Sequence, residues 1–272
     1  MILVTGANGN LGSATLAALR ARGAVAMGGS RTPGEGMRRL DFDDHVSLDL
    51  AGMSTLVLIS AGYAEDDQVV ARHAAVLDAA VRDGIGHVVY TSLTTAGDHL
   101  GFALAHRVTE RLVRASGLPW TILRNGLYAE LFGGLLMWAG NGVESAFGDG
   151  ALAAVSRGDL AEAAAVVASD PAPHSGRVYD LVGTPVTAGQ VADELGVAHR
   201  AISLGEYRRR LLQTPGLLPF QPPMLASIAT GIRHGFLDGT APHLTDLLGR
   251  AARDPLATAT AAASATRPEA SV

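Results

Sequence analysis

Val4-Thr5-Gly6-Ala7-Asn8-Gly9-Asn10-Leu11-Gly12 sets three glycines at a spacing of three. Ahead of it, Ile2-Leu3-Val4 is a short apolar run with the character of a buried strand, and residues 13–22 carry strong helix formers until Gly23 stops them. Strand, glycine turn and helix follow directly. Glycine is needed where a backbone turns tightly, lets a pyrophosphate approach and packs helix on strand, and the helix N-terminus adds free N–H groups and positive potential. Gly6, Asn8, Gly9, Asn10, Leu11 and Gly12 are therefore expected to cradle a nucleotide's phosphates. The spacing is Gly-x-x-Gly-x-x-Gly, not Gly-x-Gly-x-x-Gly. With 33 glycines in 272 residues chance matches are expected, so the weight rests on the position straight after a strand at the N-terminus.

The composition narrows the rest. A chain of 272 residues that is 48% hydrophobic builds one large α/β domain or two smaller ones with a sizeable core. A net charge of −5 without a long basic run offers nothing to attract nucleic acid or an anionic membrane. The absence of cysteine excludes disulfides, thiolate nucleophiles, iron–sulfur clusters and thiolate zinc sites, and no His-Glu-x-x-His occurs. No metal is expected. No apolar run approaches the roughly 20 residues of a membrane helix, and the chain enters a strand at once with no signal peptide ahead of it, so the cytoplasm is the expected location.

Further strands and helices alternate along the chain. Residues 24–27 read as a second strand that runs into Gly28-Gly29-Ser30-Arg31. In such folds a carboxylate at this strand end accepts from the ribose 2′-hydroxyl of NAD, whereas a cation accommodates the 2′-phosphate of NADP. Ser30 and Arg31 favour the phosphate, and hence NADPH; the other reading of Arg31 is a solvated loop residue. Asp41 and Phe42 are placed to flank the adenine. Residues 55–60 form an apolar strand buried on both faces, ending at Ser60, Ala61 and Gly62, which are small enough for a ribose to approach. His73 falls on the apolar stripe of the helix over 66–83 and reads as a packed or interface histidine. Residues 86–93 form the next strand, with Thr91 and Ser92 at its carboxyl edge, where ligands of open α/β sheets bind. A helix over 102–116 and a sixth strand over 119–126 follow, and a last strand over 177–181 is expected. The pattern predicts an α/β fold, a Rossmann-like doubly wound parallel sheet over residues 1–130, with a smaller lobe over 131–256 and a disordered tail over 257–272.

Taken with Tyr90-Thr91-Ser92-Leu93, His106, Thr109-Glu110, residues 121–128 (Thr-Ile-Leu-Arg-Asn-Gly-Leu-Tyr), Gly148-Asp149-Gly150 and residues 179–183, the glycine turn resembles the NmrA-like branch of atypical short-chain dehydrogenases. Within that branch it is similar to the flavin-free NAD(P)H:quinone oxidoreductases and triphenylmethane reductases. The resemblance implies a dinucleotide also touching Asn125, Gly126 and His106, and a second half of the chain that holds the substrate. The usual Tyr-x-x-x-Lys pair is missing, and the chain has no lysine. Phe102 and His106 stand where that pair would be, four apart and so on one face of a helix. His106 is expected to hydrogen-bond the nicotinamide ribose or to supply a proton near neutral pH, since an unperturbed imidazole titrates at about 6.5; a helix-surface histidine is the alternative. Tyr128 is the one phenol near the expected cleft, as replacement acid or as pocket lining.

The missing phenol bears on the substrate. Hydride addition to an isolated ketone leaves an alkoxide comparable to hydroxide from water at about 15.7, whereas a quinone leaves a phenolate near 10. The difference, roughly six units, is about 8 kcal/mol less charge to stabilise. A conjugated, aromatic acceptor is the better match. Leu131, Phe132, Leu135, Met137, Trp138, Phe147, Leu217, Leu218, Phe220 and Met224 suit such a substrate, but equally a core or a homodimer interface. The leading expectation is an NADPH-dependent reductase of quinone-like or conjugated carbonyl molecules without flavin or metal. The alternative is a non-catalytic NADP-sensing regulator acting through a protein partner. An isomerase or epimerase using NADP transiently ranks third, and the lack of Gly-x-Ser-x-Gly disfavours a serine hydrolase.

Overall fold

The computed structural model describes residues 1–61 and 64–268; Gly62 lies outside them. Elements run β1 (Ile2–Val4), α1 (Asn10–Ala21), β2 (Ala26–Ser30), β3 (Met37–Arg39), β4 (Thr55–Leu58), α2 (Asp66–Arg82), β5 (His87–Leu93), α3 (Ala103–Ala115) and β6 (Trp120–Asn125). The second half adds α4 (Ala129–Gly134), β7 (Met137–Ala139), β8 (Gly142–Ser145), β9 (Ala151–Ala154), α5 (Arg157–Ser169), β10 (Arg177–Leu181), β11 (Thr184–Thr187), α6 (Ala188–Leu195), β12 (His199–Ala201), α7 (Leu204–Gln213), α8 (Gln221–Arg233), α9 (His243–Leu248) and α10 (Pro255–Ala265).

A seven-stranded sheet in the order β10-β6-β5-β4-β1-β2-β3 carries the molecule, and its pairings are parallel. Residues of β4 and β5 are buried throughout, as strands covered on both faces must be. Side chains alternate between two cores. Val57, Val89 and Leu123 pack with α1 and α5, while Leu56, Leu58, Val88, Tyr90 and Ile122 pack with α2 and α3. The strand order reverses between β1 and β4, which opens a crevice at their carboxyl ends. A smaller lobe gathers around a third core, with β7 and β12 flanking β8, and β11 pairing antiparallel with β9. Among the described residues no helix is long and apolar enough to cross a membrane.

The tail expected to be structureless is instead a helix from Pro255 to Ala265, capped by Asp254 and docked on α4. Its packing needs no stripe of large side chains. Gly133 of α4 brings the backbones so close that a Cβ there would sit 2.0 Å from Ala259 O, and Ala259 and Ala263 are fully buried. Trp138 Nε1 donates to Ala263 O at 2.9 Å, and the Arg267 guanidinium covers the same indole at 4.8 Å. Alanine here means close approach. Ahead of this helix, Arg250 and Arg253 clasp the fully buried Asp159 of α5, with Arg250 Nη2 2.8 Å from its carboxylate.

Candidate functional site

The glycine turn has the geometry its spacing predicts. Gly6 adopts φ +61°, and a Cβ on Gly12 would lie 2.2 Å from Gly6 O, so α1 can ride against the turn only with glycine at position 12. Gly9 N–H donates to Gly6 O at 2.8 Å and Ser13 N–H to Gly9 O at 2.9 Å. Gly9 is also the N-cap of α1, with extended backbone and no side chain to cap with. The first-turn N–H groups of Asn10, Leu11 and Gly12 have no intrahelical acceptor by helix geometry, and they lie at the positive end of the helix dipole. Asn8 Nδ2 donates to Thr32 O at 2.8 Å, tying the turn to the segment after β2.

That segment holds Ser30 and Arg31. Ser30 is buried, and its hydroxyl accepts from Thr32 N–H at 3.4 Å. Arg31 is exposed and makes no ion pair among the described residues; nearby Asp43 is clasped by Arg72 through two bonds of 2.7 Å. Asp41 and Phe42 are half-buried just past β3, where Asp41 Oδ1 accepts from Asp43 N–H at 3.1 Å and Phe42 packs on the α2/α3 core.

At the ends of β4, β5 and β6 several hydroxyls point inward. Thr91 Oγ1 accepts from Ser60 N–H at 3.1 Å and fixes the end of β4. Ser92, read from the sequence as facing the cofactor, spends its hydroxyl on Glu110 Oε1 at 2.7 Å. Glu110 is 1% exposed and is held by Arg107, Arg114 and Arg124. Burial alone would raise its carboxyl, but the Arg124 and Ser92 hydrogen bonds outweigh that and leave it below the ordinary value. Gly126 is closely packed, since a Cβ would meet Leu181 O at 3.1 Å and the Val182 and Val155 side chains at 3.2 and 3.3 Å. Asn125 is buried, and its Oδ1 has no partner among the described residues. A buried acceptor without a donor costs about 1–3 kcal/mol and marks a place for a ligand's donor.

His106 and Phe102 stand one turn apart at the start of α3, with their rings edge to face at 6.4 Å. His106 Nδ1 is 3.0 Å from the hydroxyl of Tyr90, and burial pushes the imidazole down to about 4. The expected titration near neutral pH is thereby corrected: in the folded protein this ring is neutral at pH 7. His73 is a packed histidine, completely buried, and burial pushes it down to about 3. It also fixes backbone, because Nε2 accepts from Ala61 N–H at 3.0 Å. Tyr128 caps α4 and packs on the α1/α5 core with Arg157 4.7 Å above its ring, whereas His106 joins Tyr90 on the α2/α3 face.

A cleft of about 400 Å³ opens beside this end of α3, walled by Phe102, Pro219, Phe220, Pro223 and Met224, with Glu65 at its rim. Of the apolar residues singled out from the sequence, Phe220 and Met224 line it. Phe132 and Phe147 are instead stacked 5.1 Å apart in the core of the smaller lobe. A larger depression of about 700 Å³ lies at the amino ends of the strands, between Met1, Val25 and Pro119. It is at the wrong edge of a parallel sheet to meet the glycine turn.

No family model matches the chain. It is 33% identical over 275 residues to "Quinone oxidoreductase 2" of Escherichia coli (strain K12), covering 92% of this chain and 94% of that one. The Citrobacter sp. triphenylmethane reductase, solved as a complex with NADP(H), superposes with a TM-score of 0.85 at 29% identity, over 96% of this chain and 99% of that one. The Escherichia coli NADPH-dependent quinone oxidoreductase, solved with NADPH, gives 0.84 at 30% identity, over 96% and 99%. Sequence and fold agree along nearly the whole chain, which belongs to the NmrA-like oxidoreductase family of quinone oxidoreductase 2 and triphenylmethane reductase.

Proposed function

We propose that the protein is an NADPH-dependent reductase that passes hydride to quinone-like or conjugated carbonyl acceptors. The observation that carries this reading is the cradle at the strand-order reversal: a side-chain-free cap at Gly9, a turn that only glycine at position 12 permits, and beside it Arg31, which makes no ion pair among the described residues. The relatives that match it in sequence and fold are named as reductases, two of them solved with NADP(H) or NADPH, which disfavours a purely sensing role. The residues fit that cofactor. The first-turn N–H groups of Asn10, Leu11 and Gly12 suit a pyrophosphate, Ser30 and Arg31 a 2′-phosphate, Asp41 and Phe42 the adenine, and the buried acceptor Asn125 Oδ1 a donor such as an amide. Ser60, Ala61 and Thr91 form the floor between them.

Bound NADPH supplies the hydride. The chain's own part is to exclude water, orient the acceptor and stabilise its oxygen. Phe102, Phe220 and Met224 offer flat apolar walls for a conjugated ring. The charge that develops on the acceptor oxygen falls to His106 rather than to Tyr128, since His106 adjoins the cleft wall through Phe102. A neutral imidazole N–H stabilises a phenolate by a hydrogen bond without giving up its proton, which water then supplies. Purified protein should consume NADPH, followed by its near-ultraviolet absorbance, with at least one of a panel of quinones, aryl ketones and triphenylmethane dyes. Tight NADPH binding with no turnover across that panel would return the sensor.

Arg31 sets the cofactor preference in this reading. Charge-assisted hydrogen bonds contribute about 1.5–3 kcal/mol. Arg31→Ala should therefore weaken NADPH roughly tenfold to a hundredfold and leave NADH nearly unchanged, titrated at fixed salt because an exposed pair is screened. Equal loss for both cofactors would make Arg31 a support for the adenosine or the fold.

A further inference from the structure

Behind the Phe102 wall, the α2/α3 face of the sheet holds a set of polar groups in a layer that is otherwise apolar. His73 bridges two elements: Nε2 accepts from Ala61 N–H at 3.0 Å, and Nδ1 lies 2.8 Å from Thr109 Oγ1. Thr109 already gives its own proton to Ala105 O at 2.8 Å, so His73 Nδ1 must be the donor to Thr109. Tyr90 stands edge-on to His73 at 5.7 Å, with its hydroxyl 3.0 Å from His106 Nδ1.

The direction of that last bond follows from burial. Tyr90 is 0% exposed, and its hydroxyl lies near those of Thr109 and Ser60, of which Thr109 is already engaged on both sides. The bond with formed geometry is the one to His106. Were Tyr90 to accept there, its own proton would have only Ser60 Oγ left to turn to, a buried oxygen that forms no hydrogen bond among the described residues; donating to His106 places the proton in the bond that is formed. With Nδ1 as acceptor, the single proton of the neutral ring sits on Nε2, which has no partner among the described residues, on a ring that is only half-buried.

We propose that Tyr90 is a positioning residue: its hydroxyl donates to His106 Nδ1, locks the imidazole as the Nε2–H tautomer, and so aims that N–H past Phe102 at the acceptor oxygen. The proposal rests on the reductase reading for its purpose, but not for the hydrogen bond itself. No proton leaves His106; hydride goes to the acceptor, the oxyanion accepts the Nε2–H bond, and water protonates it on release. The titratable and charged groups around the ring are Arg107 and Glu110 on α3, Tyr90 on β5 and His73 on α2.

Two measurements test it. Long-range proton–nitrogen NMR of histidine-labelled protein at pH 7, with His106 assigned by its absence in His106→Gln, should show Nε2 protonated and Nδ1 bare. Tyr90→Phe keeps the ring and removes the hydroxyl; the His106 signal should move to the other tautomer or to a mixture, and kcat should fall about tenfold with the NADPH Kd within twofold. An Nδ1–H signal in the parent protein overturns the proposal, as does a Tyr90→Phe variant that keeps both the tautomer and kcat. If no acceptor is turned over at all, the reductase reading fails, while the tautomer in the unaltered protein still decides whether Tyr90 holds His106.

Discussion

Gly9→Val is expected to leave a folded protein that binds NADPH at least a hundredfold more weakly. The backbone at Gly9 is extended (φ −81°, ψ 162°), a conformation any residue adopts, and a Cβ there meets only Gly6 O, at 3.2 Å. The fold can absorb a few tenths of an ångström. A phosphate cannot share the space, because the branched side chain would stand over the N–H groups at the start of α1. Losing two charge-assisted bonds of about 1.5–3 kcal/mol each removes more than two orders of magnitude in affinity. Gly12→Val should behave differently. Its Cβ would strike Gly6 O at 2.2 Å and Gly6 C at 2.7 Å, so melting temperature and affinity should fall together. Calorimetric titration with NADPH and thermal melts of the two variants separate these outcomes. An NADPH Kd within threefold of the parent in Gly9→Val would place the cradle elsewhere.

Acidification to pH 5 should cost about 4 kcal/mol of stability relative to pH 8 through His73 and His106 alone. Their folded values, about 3 and about 4, lie below the unfolded value of about 6.5, so between these limits the unfolded chain binds more protons and stability falls as pH falls. At pH 5 each group is 1.5 units below its unfolded value, or about 2 kcal/mol, a figure that requires only that the folded values lie under 5. Desolvation lowers His87, His174 and His199 as well, in the same direction. Stability should be complete above about pH 7 and lost progressively toward pH 3. For a chain this long, 4 kcal/mol lowers the melting temperature by roughly 8 °C. Equal melting temperatures at pH 8 and pH 5 would mean that the two rings are not held neutral as described.

How much was legible depended on whether a feature is local. The glycine turn and the strands at β4, β5 and β6 are written in adjacent residues, and the structure has them where the pattern put them. The helix at Pro255–Ala265 was not legible, because its partner is a glycine on α4 more than a hundred residues away and small-on-small packing leaves no large-residue stripe. The orientation of Ser92 was hidden for a similar reason. Its acceptor, Glu110, is paired at helical spacing with Arg107 and Arg114, but Arg124 of β6 and Ser92 itself reach it from strands of the sheet, and no spacing rule connects those. Phe102 and His106 were legible as an i, i+4 pair, but Tyr90 as the partner of His106 required the strand's facing and the helix's placement together.

Direct hydride transfer at this site is tested by a single turnover with NADPH deuterated at C4 and a triphenylmethane dye, in protein verified to contain no flavin. One deuterium should be retained on the central carbon of the reduced dye when the label is on the transferred face, together with a primary isotope effect on the transfer rate. Dye reduced without deuterium at that carbon by NADPH labelled on both C4 faces would contradict direct transfer.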